Sequence, residues 1–254
     1  MENSSETISK EKKKSNKFLV VNLVLVGLFT VSLITNQVVF SKTKKLLGIN
    51  SAVSDISAKL KKIIGGNTKL TGNIAEDAVK ISFHQGVPDI YGTEMGVSFE
   101  EVQQAMDIMK QYDPGYGSNK ISLNADEMKR YIDVNIKISC EYCCGAKSII
   151  FENGEAACGC AHSQAMRGLA AYLIRNHGGE FTNDQMLREL AIWKGRYFPK
   201  QMIQKVTEQL QSGKYTPDVA SLLLDLKLPK YSEEQKSAPL PSDIKDLPGM
   251  VGGC

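Results

Sequence analysis

The sequence lacks the signatures of several large enzyme classes. It has no glycine-rich loop to cradle phosphate and no Gly-x-Ser-x-Gly elbow to present a nucleophilic serine. It also lacks a strong charge of either sign. The formal net charge is only +3, drawn largely from lysines beside one hydrophobic stretch, so the folded part offers no basic face to nucleic acid. A c-type haem is excluded because the pair Cys140 and Cys143 is followed by Cys144, where that attachment needs histidine. Histidine is scarce, with His84, His162 and His177 making up the whole supply.

What is present is ordinary in bulk and unusual in two places. Hydrophobic residues make up 42% and charged residues 23% of the 254-residue chain, near globular averages, so most of it should fold. The first unusual place is Phe18 to Phe40, an uncharged apolar run. As a helix it would be about 34 Å long, enough to cross a hydrocarbon core of about 30 Å. It has no small-x-small cleavage site after it, which predicts a retained signal anchor. The lysines on either side nearly balance, and the short N-terminal tail places the following domain outside the cytoplasm.

Residues 1–17 are polar and lysine-rich and read as a disordered tail. After the anchor at 18–40, Leu46, Ile49, Val53, Ile56, Leu60 and Ile63 recur at heptad spacing. The juxtamembrane helix 41–64 thus suits a homo-oligomer through residues 46–63, a basic amphipathic helix on a surface, or packing on the domain. Residues 65–73 form a hinge, 74–227 a helical domain, and 228–254 a loose, proline-bearing tail.

Within the domain, Ser98 with Glu101, Asn124 with Glu127 and Thr182 with Gln185 are spaced as capping boxes that open helices. Pro199 and Pro217 suit the first turns of two more. Between the helices the period changes. Val134, Ile136 and Ile138 alternate with polar residues, and Asn153-Gly154 is a hairpin turn signal, so 134–162 reads as a β-hairpin inserted in a mainly α fold.

That insertion is the second unusual place. Cys140, Cys143, Cys144, Cys158, Cys160 and His162 lie in the pattern C-x2-C-C-x13-C-x-C-x-H. A hairpin would return Cys158 and Cys160 beside Cys140 and Cys143, and on an extended segment Cys158, Cys160 and His162 share one face. The expectation is a zinc-ribbon-like site with Cys140, Cys143, Cys158 and Cys160 as ligands and with Cys144 and His162 as alternates. Zn2+ fits best, while soft thiolates also suit Cu(I) or an iron–sulfur cluster. Two other readings stand beside it. One is a disulfide framework that recruits Cys254, and the other is thiol redox chemistry through Cys140 and Cys143. No catalytic residue is assigned.

The remaining candidates have plain explanations. His177 ends a helix, where positive charge is favourable. Trp193, Tyr197 and Phe198 have core spacing. Arg167, Arg175, Lys194 and Arg196 read by default as a solvated face, with the rim of a pocket as the rival reading.

The wording ISCEYCCGAKSIIFENGEAACGCAHSQAMRGLAAYLI, with IYGTEMGVSFEEV before it and the FTNDQ and RYFPKQ stretches after it, spans about residues 87–201. It resembles an uncharacterised family of prokaryotic membrane or surface proteins with a CEYCCG…CGCAH signature. The resemblance carries no established activity. Taken together, the sequence predicts a single-pass membrane protein that displays a metal-binding module, structural or metal-handling. Its rivals are a thiol or metal redox enzyme and a disulfide-stapled structural or assembly protein.

Overall fold

The protein is described by a computed structural model covering residues 69–238 and 242–253, all within the unit Leu60–Cys254. Residues 1–68 lie outside the described residues, and so do the expected tail 1–17, the heptad helix 41–64 and its oligomer seam 46–63, and Cys254.

Local signals start most of the helices. Asn73 caps α1 (Ile74–Ser82) by accepting from the backbone N–H groups of Ala75 and Glu76. A short turn, α2 (Gly92–Met95), precedes α3 (Val102–Met109), which tightens into a 3-10 turn at Lys110–Tyr112. Complete capping boxes open α4 (Ala125–Asn135) at Asn124 and Glu127, and α7 (Asn183–Tyr197) at Thr182 and Gln185. Proline occupies the first turn of both α8 (Pro199–Ser212) and α9 (Pro217–Leu222). The cysteine segments supply α5 (Glu141–Cys144) and the start of α6 (Ala161–His177), and α10 (Glu233–Lys236) is a last short turn.

Helix α6 is the hub. It packs against α3, α4 and α7, while α8 packs on α1 and α7, and α9 on α7. Burial runs around most of its circumference, as expected for a helix inside a bundle. Small residues permit the close crossings. A Cβ on Gly168 would sit 1.9 Å from the Met109 carbonyl oxygen, and one on Gly195 of α7 would sit 2.0 Å from that of Ser82. Trp193, Tyr197 and Phe198 are fully buried beside this hub, as core spacing predicts.

Some expectations need correction. The β-hairpin is absent, because the described residues contain a single isolated antiparallel bridge, Ile150 to Ala156, and no strand. Val134 belongs to α4, whose capping box and buried Tyr131 and Val134 override the short alternation. The Asn153-Gly154 turn does close, with Gly154 at φ +86 and Phe151 N–H donating to Glu155 O at 2.7 Å. Beyond it Ala157 N–H donates to Ile149 O at 3.2 Å and the pairing stops there, while the buried Arg167 guanidinium ties the two arms together by donating to the Ile149 and Cys158 carbonyls. The zinc-ribbon-like architecture falls with the hairpin.

The single-pass membrane architecture and the membrane-bound, extracytoplasmic placement also find no support. Among the described residues no helix is long and apolar enough to cross a membrane, and the stretch 18–40 lies outside them. Finally, Ser98 and Glu101 do not form a capping box. Ser98 Oγ instead donates to Glu100 at 2.6 Å, and Glu101 caps α3 without a side-chain bond.

The end of the chain, expected to be loose, is tied to the core. Ile244 and Leu247 are buried, Val251 N–H donates to Tyr197 O at 2.8 Å, and Gly253 N–H donates to Gln103 Oε1 at 2.9 Å.

Candidate metal centre

The cysteines sit at two chain reversals that both run into helix starts. Cys140 is the residue before α5, a single helical turn holding Cys143 and Cys144 and closed by Gly145 in the left-handed region at φ +68. Glycine is the residue that takes this conformation without a steric cost. Cys160 is the N-cap of the 17-residue α6, and its sulfur accepts from Ser163 N–H at 3.4 Å. His162 follows in the first turn of the same helix.

The two reversals meet. Cys140, Cys143, Cys160 and His162 each present one ligand atom, and these four atoms lie within 4.8 Å of one another. Cys140 Sγ and Cys160 Sγ are 3.5 Å apart. A tetrahedral zinc with bonds of about 2.3 Å to sulfur spaces its sulfurs by about 3.8 Å, so the group is close to ligand spacing before any ion enters. Cys158 and Cys144 lie to one side and form a second group with Cys160 under the same limit. All six expected ligands are therefore brought to one place. His162, expected as an alternate, stands in the four-donor group, while Cys158, expected as a principal ligand, stands in the three-donor one.

His162 is set up as a ligand. It is fully buried, its ring lies 5.0 Å from that of Tyr197 and 4.9 Å from that of Phe198, and Nε2 is 3.0 Å from the Val251 carbonyl oxygen. A carbonyl only accepts, so in this contact Nε2 is the donor, and the bond fixes the orientation of the ring. Metal-binding histidines are oriented by this kind of second hydrogen bond. The tied C-terminal segment thus holds the histidine in place.

The electrostatics separate the thiols. Cys160 is pulled down to about 2, chiefly by the Cys140 thiol donating to it and further by His162 and Ser163. Its place at the start of α6 adds to this, because the helix dipole favours negative charge there. Cys140 moves the other way, since its thiol keeps the proton that it donates to Cys160 and its surroundings are buried. Cys158 is pushed up to about 11 by burial and by its contact with Cys144.

Two ion clusters frame the site, and two of their cations, Arg167 and Lys194, read by default from the sequence as part of a solvated face. Arg167 and Asp113 are both fully buried, and they pair through Nη2 to Oδ2 at 2.6 Å and Nε to Oδ1 at 3.0 Å. Arg167 Nη1 donates to Ile149 O at 3.0 Å and to Cys158 O at 2.8 Å. On the other side, Lys194 Nζ lies 3.0 Å from Glu141 and 2.8 Å from Asp218, and Lys205 Nζ lies 2.9 Å from both. Glu141 belongs to the cysteine turn itself. The neighbouring lysines hold it down to about 2 against the cost of burial, and Asp218 is lowered by the same lysines.

The other two histidines are apart from this centre. His84 Nε2 is 3.2 Å from Ile81 O, and burial lowers its pKa. His177 ends α6, as expected, with Nδ1 2.8 Å from Glu180. Comparison with protein-family models, curated proteins and solved structures finds no match for this chain. The arrangement is thus a cysteine and histidine cluster able to hold a metal ion such as zinc, in a fold without a matched precedent.

Proposed function

We propose that this chain is a zinc-binding domain whose metal joins Cys140 and Cys143 of the α5 turn to Cys160 and His162 at the start of α6, in a structural or metal-handling role. The observation that supports it most is the cluster itself: Cys140, Cys143, Cys160 and His162 present four ligand atoms within 4.8 Å of one another, and His162 is fully buried with its ring oriented by the contact of Nε2 with Val251 O. Three thiolates and one imidazole make a closed tetrahedral set, the pattern of a structural zinc. The ion would bind α5 to the hub helix, where the described residues offer no sheet to do so. The likeness to the CEYCCG…CGCAH family belongs to the same proposal.

The test is metal analysis of the purified, reduced full chain with thiol counting. Zinc retained through dialysis, with Cys140, Cys143 and Cys160 protected from alkylation until a chelator is added, is the expected result. Removing zinc should lower Tm, because metal binding at such a site is folding free energy. Reduced protein that holds no metal and alkylates freely at every cysteine would sink the proposal.

A second reading, thiol redox chemistry, has one observation in its favour. Cys140 and Cys160 sulfurs lie 3.5 Å apart at the start of a long helix. Under it, metal-free protein would cycle between dithiol and a Cys140–Cys160 disulfide at a defined potential.

A further inference from the structure

One tetrahedral ion takes four donors, and this cluster has six. The surplus is organised. Cys144, Cys158 and Cys160 form a second group with all sulfurs within 4.8 Å of one another, and Cys160 belongs to both groups. The doubled cysteine explains how one turn serves two groups. Successive residues on a helix point about 100° apart, so Cys143 and Cys144 face different sides of α5. Cys158 in turn lies beside Cys160, whose backbone N–H is 3.5 Å from the Cys158 sulfur.

The groups also differ in access. Cys140 and His162 of the first are fully buried, and only its Cys143 is exposed. In the second, Cys144 is exposed and Cys158 and Cys160 are part-exposed. A thiolate has lone pairs enough to bind two soft cations at once, and Cys160 stands where such a bridge belongs.

We propose that Cys160 Sγ bridges two metal positions: the inner one described above, and an outer one completed by Cys144 and Cys158 and open to solvent. The inference rests on the metal-binding reading and adds a second, exchangeable ion to it. Three thiolates suit a soft, thiol-seeking cation such as Cu(I). Zn2+ or Cd2+ in the same place keeps a fourth position for water or an incoming ligand, the mark of an exchange site and not of a closed structural one. The inner ion then shapes the fold, and the outer ion is cargo.

The experiment titrates the reduced full chain with Cd2+ and, separately, with Cu(I), and reads the number of ions per chain by native mass spectrometry. Two ions are expected for the wild type. C144S and C158S should each keep one, and C160S should hold neither firmly. Circular dichroism checks that each variant is folded, and the exposed position of Cys144 makes C144S the safest of the three. With cadmium-113, two resonances coupled to each other through the shared sulfur are expected. One ion in the wild type, two ions retained in both C144S and C158S, or two resonances without coupling would overturn the inference and leave the inner site standing. A chain that takes up no ion would overturn the metal-binding reading itself.

Discussion

The two cysteine segments are held to the same core by different means. The first, Cys140 to Gly145, is held by a side chain, since Glu141 reaches Lys194 and Lys205, which also share Asp218. The second, Ile149 to Cys160, is held by its backbone, because Arg167 takes the carbonyls of Ile149 and Cys158 while paired with Asp113. The first clamp is redundant, with two cations on two carboxylates, and Glu141 keeps about a third of its side chain exposed at 36%. The second has one cation, fully buried, with no substitute. Redundancy and partial exposure should make the first segment the adjustable half of the site and the second its fixed half.

Arg167 is where this comparison is easiest to break. Arg167→Met leaves Asp113 buried without its partner and strips two carbonyls of a charged donor. Breaking a buried pair from one side costs about 3–5 kcal/mol, enough to unfold a marginal domain. The urea midpoint of the metal-free chain should fall accordingly. Adding Asp113→Leu should recover part of the loss, since it removes the orphaned charge. A single variant as stable as the wild type would show that the second segment is held by something else.

Glu141→Gln should do less. Lys194 and Lys205 keep Asp218, so the loss is that of charged hydrogen bonds, about 1–3 kcal/mol. It should show more in zinc affinity than in the urea midpoint of the metal-free chain, because the freed turn carries Cys140 and Cys143. The same variant sharpens the pH response. Glu141 sits at about 2 and Asp218 is also lowered, so their contribution is fully present above the ordinary carboxylate range and is lost as pH falls from there through the lower folded values. Lys205 is raised by the same carboxylates, so its share is present below the ordinary lysine range and is lost only as pH rises through the higher folded value. Acid unfolding of metal-free Glu141→Gln should therefore be shallower than that of the wild type. Parallel acid limbs would mean that Glu141 contributes nothing as a charge.

The same contrast explains how much of the molecule was legible in its sequence. The capping boxes at Asn124 and Thr182 and the prolines at 199 and 217 act within a few residues, so they could be read directly, and the helices begin there. The six metal-ligand candidates were legible because few other chemistries need that spacing. The hairpin was misread because its decisive partner is remote. Arg167 lies 18 residues beyond Ile149 and 54 beyond Asp113, and no local pattern says that it will tie the two arms together through their carbonyls. Lys194 looked solvated for the same reason, because its partners Glu141 and Asp218 are distant in sequence. The rank of His162 above Cys158 depended on α6 starting at Ala161, which turns an extended C-x-C-x-H face into a helix start.

The smallest effects fall on the two glycines that turn the segments, and they restate the contrast at the level of single atoms. Gly145 has φ +68 with open space where a Cβ would go, so Gly145→Ala bears only the left-handed backbone cost, about 1–2 kcal/mol. Asparagine tolerates that region, so Gly145→Asn should return much of it. Gly154 has φ +86, but its Cβ would meet Met128 Sδ at 3.0 Å and the Ile132 side chain at 3.3 Å. Gly154→Ala should therefore cost more than Gly145→Ala by the added crowding, and Gly154→Asn should not rescue it. Urea midpoints of the four variants decide the matter. Equal losses at the two positions would mean that the second segment can shift to make room, and it would then be no more fixed than the first.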